Sequence, residues 1–295
     1  MATTPHNPYQ GKSGEWIRGN LHGHSRPNSN CASVPLAEGV RRYRDIGAQF
    51  MAVTDHDWVT DLSAVRAAYP DMILLSGFEH SKVRHMVFVG ERVPPLYELP
   101  LDDALARADD LLTIISHPQS WAAHPEWTQD RIRALPRLPD GMEVWNGHYG
   151  TERLRAKGLT SQYVRFWDEL LTAGYRLWGF ANDDFHDPVD LGNAFSMVLV
   201  PERTPAAIVR ATKAGCFYAS TGLTVDRITG ADGHIAVTIA APCMGRFVGP
   251  GGQTLAQAQG MQFEYQMQDE AYVRFEAQGA QGQLFLQPMF RQEGI

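Results

Sequence analysis

The chain has 295 residues, 44% of them hydrophobic and 20% charged, and its formal net charge is −7. That size suits one large α/β domain, or one with a small companion, and the acidic balance argues against a surface built for long nucleic acids. No apolar run is long enough to span a bilayer, and residues 1–8 lack the basic-then-apolar order of a secretory signal. The three cysteines, Cys31, Cys216 and Cys243, are odd in number and show no metal-type spacing, so no disulfide scaffold is expected and a reducing, cytoplasmic setting is the default expectation.

In chain order, short apolar runs alternate with helical periods. The first run ends on His22 and His24, one residue apart, and a helix is predicted over 36–46. A buried strand over 50–54 leads into Asp55-His56-Asp57, and a helix over 62–68 follows. The run 72–76 leads into Gly77-Phe78-Glu79-His80, and 85–89 starts on His85. After a helix over 101–109, the strand 111–116 precedes His117-Pro118. The run 142–145 leads into Asn146-Gly147-His148. A helix over 161–173 then precedes the strand 177–181, which runs into Asn182-Asp183-Asp184-Phe185-His186. A helix over 205–214 and the segment 214–222 close this part.

Strand–helix alternation of this kind predicts a mostly parallel sheet with helices outside it, and enough units are present for a barrel whose chemistry sits at the carboxyl ends of the strands. From about residue 225 the helical periods stop. Alternating apolar positions such as Ile235, Val237 and Ile239, separated by Gly- and Pro-rich turns, predict a small antiparallel sheet or sandwich. The expected division is therefore a hydrolase barrel over 1–224 and a β-sandwich-like domain over 225–295.

Residues i and i+2 of a strand point to the same side, so His22 and His24 can reach one ion, and Asp184 and His186 repeat that geometry. Taken singly, each pattern is common in ordinary cores. Gathered at one rim, so many polar groups are costly to bury unless something pairs them, and bound cations would.

The set and order of these motifs resemble the polymerase and histidinol phosphatase (PHP) superfamily. The matching segments are Leu21-His22-Gly23-His24-Ser25, Thr54-Asp55-His56-Asp57, Gly77-Phe78-Glu79, His85, Ser116-His117-Pro118 and Asp184-Phe185-His186, with 143–147 (EVWNG) and 217–222 (FYASTG) also similar. The resemblance covers about residues 18–222. It implies a distorted (β/α)7-type barrel holding two or three divalent ions, manganese, zinc or iron. It would place His22, His24, Glu79 and Asp184 on a first metal, Glu79, His85 and His117 on a second, and His56 and His186 on a third. The chain departs from the pattern after His-x-His, where the loop offers Ser29 or Asn30 in place of Asp or His, which leaves the third site in doubt.

Two close cations suit hydrolysis through a metal-activated water. The resulting expectation is a phosphoesterase acting on a phosphate mono- or diester of a small molecule. His56, Asp184 and His186 would carry protons, Arg26 and Arg84 are candidates to grip the phosphate, and His148 would contact substrate. The competing readings are an amidohydrolase-like C–N or C–O hydrolase, an oligonucleotide phosphodiesterase, and a non-catalytic metal module. No membrane partner is expected, and a homo-oligomer remains open.

Overall fold

The computed structural model describes residues 5–291; residues 1–4 of the segment read above for a leader lie outside the described residues. In chain order the first part comprises β1 (Glu15–Asn20), α1 (Leu36–Asp45), β2 (Phe50–Val53), α2 (Ser63–Ala68), β3 (Ile73–His80), β4 (Met86–Gly90), α3 (Leu101–Ala106), β5 (Leu112–Ile115), α4 (Gln129–Arg133), β6 (Gly141–Asn146), α5 (Glu152–Arg155), α6 (Val164–Thr172), β7 (Trp178–Asn182), β8 (Phe195–Val200), α7 (Pro205–Lys213) and β9 (Phe217–Ser220). Local chemistry sets several of these bounds. The α7 helix, for example, starts on the Thr204 hydroxyl, which accepts the Ala207 N–H at 3.2 Å, and Pro205 stands at its first position.

The sheet is mixed, not mostly parallel. Strands β1, β2 and β3 run parallel, as do β5, β6 and β7, whereas β4 is antiparallel to both β3 and β5. Only residues 81–85 join β3 to β4, a link too short for a parallel crossover. The sequence reading did not single out β8, which pairs antiparallel with β1 and with β9.

The expected closed barrel is not formed: the sheet is open. It curls around a shared apolar core drawn from Ile17, Ala52, Leu75, Ile114, Phe180 and Phe217, yet β7 ladders only with β6. Side chains satisfy the outer edge of β7 instead of a strand. The Gly179 N–H donates to Gln287 Oε1, and Gln287 Nε2 donates to the Gly179 carbonyl, each at 2.8 Å. Further along, the Ser196 hydroxyl donates to the Ala181 carbonyl at 3.2 Å. A buried backbone edge needs such partners, and a carboxamide supplies both donor and acceptor.

The C-terminal strands are β10 (Val225–Thr229), β11 (His234–Gly249), β12 (Gln253–Gln266), β13 (Tyr272–Gly279), β14 (Gly282–Leu286) and β15 (Met289–Phe290). They are antiparallel, as their alternation predicts. They continue the first sheet, because β14 pairs with β9, and they carry their own core of Ile235, Val237, Phe247, Phe275 and Leu284. A buried ionic clamp joins them to α6: Arg274 Nε and Nη2 each donate to Asp168 at 2.7 Å. Among the described residues, no helix is long and apolar enough to cross a membrane.

Candidate metal centre

Seven strands deliver polar groups to one rim. His22 and His24 follow β1, Asp55 and His56 follow β2, and Glu79 is the penultimate residue of β3. His117 follows β5, Glu143 lies in β6, and Asp184 and His186 follow β7. His85 precedes β4, but β4 runs opposite to β3, so its beginning lies at the same end. Two of these positions, His117 and Asp184, hold positive φ angles of 25° and 52°, a conformation that non-glycine residues adopt at a cost.

The side chains converge closely. His22 Nε2 lies 3.3 Å from Glu79 Oε1 and 3.2 Å from Asp184 Oδ1. His24 Nε2 lies 3.2 Å from that same Asp184 oxygen and 3.5 Å from Glu79 Oε2. His117 Nε2 is 3.3 Å from Glu79 Oε1, and His56 Nδ1 is 3.0 Å from Glu79 Oε2. Donor atoms within 4.8 Å of one another define several overlapping sets: His22, His24 and Glu79; His22, His117 and Asp184; His56, Glu79 and His85; and His24, His56 and His186. All eight residues expected as ligands therefore stand in one cluster.

Hydrogen bonds at the outer ring nitrogens indicate what this cluster can hold. A carboxylate only accepts, so His22 Nδ1, 2.8 Å from Glu143 Oε1, carries a proton. His85 Nδ1 is likewise fixed by Glu126 at 2.9 Å, and His186 Nδ1 by the Asp184 carbonyl at 2.7 Å. His24 Nδ1 faces the Ser29 hydroxyl at 3.2 Å, and that hydroxyl donates to Asp55 at 2.8 Å. In the neutral rings, His22 and His24 therefore turn bare Nε2 lone pairs toward one another, 3.2 Å apart. Glu79 sits between them with no exposed surface and no hydrogen-bond partner for either oxygen. Acceptors facing acceptors in a dry site call for a positive charge, and mixed imidazole and carboxylate donors fit zinc, manganese or iron.

The same neighbours shift the cluster's proton affinities in both directions: burial and the nearby His186 lower His24 well below the ordinary imidazole value. Burial disfavours charge on His22, yet Asp184, Glu79 and Glu143 raise its pKa well above the ordinary imidazole value. Burial pushes Glu79 up, but His22 and His85 hold it well below the usual carboxylate range. Against the opposing pull of burial, Cys31 and Glu79 push His56 up to about 10, and Asp184 and Cys31 push His186 up to about 9. Ligands must shed such protons to bind a cation, so uptake of metal is coupled to pH.

Of the two loop residues in question after His-x-His, neither is hydrogen-bonded to the ring of His56 or His186. The Ser29 hydroxyl is committed to Asp55 and also accepts the His56 N–H at 3.1 Å, while Asn30 is exposed. Cys31, on the same loop, is exposed, and its thiol is shifted by His56 and His186. Burial alone would raise its thiol, but those two imidazoles bring it down to about 6. Sequence spacing gave no signal for Cys31, nor for Glu126, which reaches His85 from a loop 41 residues away. Asp55 serves the loop, accepting the Ser25 N–H and the Ser25 and Ser29 hydroxyls.

The candidates for substrate contact separate. Arg26 is exposed on the loop after His24. His148 lies beside the cluster, its ring 4.5 Å from that of His186 and its Nδ1 held 3.0 Å from Asp190. The Arg84 guanidinium lies 5.0 Å over the Trp127 ring and 3.7 Å from Asp102. A cation–π contact and a carboxylate thus already engage the group expected to hold phosphate.

No protein-family model and no curated protein matches the chain. Among solved structures, it is similar to a two-domain protein from Bacteroides vulgatus described as containing a predicted PHP-like metal-dependent phosphoesterase. That likeness has a TM-score of 0.55 at 15% identity and covers 94% of this chain and 95% of the other. The two share a fold over nearly their whole lengths, C-terminal strands included. Fainter likenesses are to an amidohydrolase from Chromobacterium violaceum (TM-score 0.42, 14% identity, 58% of this chain and 88% of that one) and to PsfC from Pseudomonas syringae (TM-score 0.41, 12% identity, 67% and 87%).

Proposed function

We propose that the protein is a metal-dependent hydrolase that cleaves a phosphate mono- or diester of a small molecule. The observation that carries this reading is Glu79, wholly buried, unpartnered at both oxygens and ringed by imidazole nitrogens. The fold shared with the PHP-like protein of Bacteroides vulgatus supports it. In this reading His22, His24, Glu79 and Asp184 hold one cation, Glu79, His85 and His117 a second, and His56 and His186 a third. Bound there, divalent cations supply an acidified water and neutralise charge on the phosphate oxygens.

The chain's own residues do the rest. Buried Glu79 and Asp184 bring the negative charge that retains the cations. Arg26, exposed on the loop that follows the His-x-His motif, is available to a phosphate oxygen. Asp190 orients His148 by its Nδ1 and leaves its Nε2 free to hydrogen-bond substrate. His56 and His186 are more open to solvent than His22 and His24, with side chains 28% and 11% exposed, and when not holding the third cation can exchange protons with the leaving oxygen.

The test is a screen of p-nitrophenyl phosphate and bis-p-nitrophenyl phosphate with manganese, zinc and iron, run beside Glu79→Ala. The reading expects release of p-nitrophenol by the parent and none by the variant. Hydrolysis of amide or lactone substrates alone would shift the assignment to C–N or C–O chemistry. Undiminished activity of metal-stripped Glu79→Ala protein would refute the site.

A further inference from the structure

Glu143 stands one layer behind the cluster and reaches four different strand ends at once. It has no exposed surface. Its Oε1 accepts from His22 Nδ1 at 2.8 Å and from Asn182 Nδ2 at 3.1 Å. Its Oε2 accepts the backbone N–H of His117 and the Asn146 Nδ2, both at 2.8 Å. Four donors from the ends of β1, β5, β6 and β7 thus saturate one carboxylate. Asn146 extends the contact to a fifth group, lying 3.2 Å from Asp184 Oδ2.

We infer that Glu143 is the positioning residue of the metal centre: it fixes the tautomer of His22 through Nδ1 and the backbone of His117 through its N–H, so that both rings turn Nε2 toward Glu79, each 3.3 Å from its Oε1. The inference rests on the proposed metal-dependent reading. The His22 side chain has no exposed surface, and its Nδ1 has the Glu143 carboxylate as partner. Only a full acceptor there keeps the proton on Nδ1 and the lone pair on Nε2. His117 carries its ring from a backbone at φ 25°, and an anion accepting its N–H helps hold that uncommon conformation.

The chemistry makes Glu143→Gln a sharp probe. All four neighbours are donors, so an amide can satisfy only one side and must turn its own NH2 against the other. Turned toward His22, it drives the ring to the other tautomer, with a proton on Nε2 where a lone pair is needed. Turned toward His117, it opposes the backbone N–H. Loss of such an outer partner costs metal affinity on the order of 10- to 100-fold.

The experiment is chelator competition for zinc and for cobalt(II), with the cobalt absorption bands recorded, on parent and Glu143→Gln well below their unfolding temperatures. We expect affinity to fall about 10- to 100-fold and the cobalt bands to move as coordination changes. A residue that only braced β6 would lower thermal stability while leaving affinity and bands unchanged, and that result overturns the inference alone. A parent that takes up no metal overturns it together with the proposed function. Should the variant fail to fold, nitrogen-15 histidine spectra of the metal-loaded parent decide: His22 must carry its proton on Nδ1, and a proton on Nε2 overturns the inference.

Discussion

Replacing Gln287 by Leu tests why the sheet stays open. The Gln287 side chain is 1% exposed and stands in for a neighbouring strand at Gly179 of β7, donating to its carbonyl and accepting from its N–H, both at 2.8 Å. Leucine fills nearly the same volume, so the change removes two hydrogen bonds without opening a large cavity. It leaves one buried backbone donor and one buried acceptor without partners. Each such group costs about 1–3 kcal/mol, so the variant should lose about 2–6 kcal/mol in urea unfolding. Opening of the β7 edge should also speed amide exchange at Gly179. A local loss of about 3 kcal/mol corresponds to roughly 100-fold faster exchange. The backbone N–H of residue 287 keeps its own partner, the Tyr9 hydroxyl at 2.8 Å, so the neighbouring chain should not shift. A loss below about 0.5 kcal/mol, the range of an ordinary surface change, with Gly179 exchange unaltered, would refute the edge-capping argument.

Three further outcomes follow from the same geometry. Asp168→Ala takes two 2.7 Å bonds from the wholly buried Arg274 guanidinium and leaves Glu276 as its remaining carboxylate, so it should cost up to about 3–5 kcal/mol in urea unfolding; the apolar pair Asp168→Leu with Arg274→Met should recover most of it. Burial would raise Glu276, but Arg274 and Arg246 hold its folded pKa below the ordinary 4.5. Its contribution to stability is therefore whole above that ordinary value and is lost as pH falls through the folded value. The stability gap between parent and Glu276→Gln should accordingly narrow as unfolding is measured from pH 7 toward pH 3, and a constant gap contradicts the assignment. His22→Ala should abolish phosphoester hydrolysis and reduce bound metal while the circular dichroism spectrum remains that of a folded protein.

The sequence made the rim legible because strand ends are local features. An apolar run followed by His, Asp or Glu is visible within ten residues, and Asp55, His117 and Asp184 all follow such runs. Some helix starts were legible for the same reason: α1 begins at Leu36 and α7 at Pro205, as their periods predict, whereas α6 starts three residues later than expected and the short α4 and α5 show no period to read. The open sheet was not legible, because Gln287 meets Gly179 across 108 residues, and a lone glutamine near the end of the chain carries no pattern. The antiparallel β4 had a readable cue in the short link 81–85, but the strand–helix rhythm around it masked that cue. Glu143 sits in an apolar run where it reads as one polar residue of a strand. Its partners come from four strands, and only their convergence reveals what it does. Cys31 escaped notice because a single cysteine has no spacing to read.

The account stands most directly on whether this cluster binds cations. Metal analysis of the parent protein, reconstituted in turn with manganese, zinc and iron and then freed of excess ion, should find at least two equivalents of one of them, falling in Glu79→Ala. A folded parent that retains none of the three would contradict the account at its root.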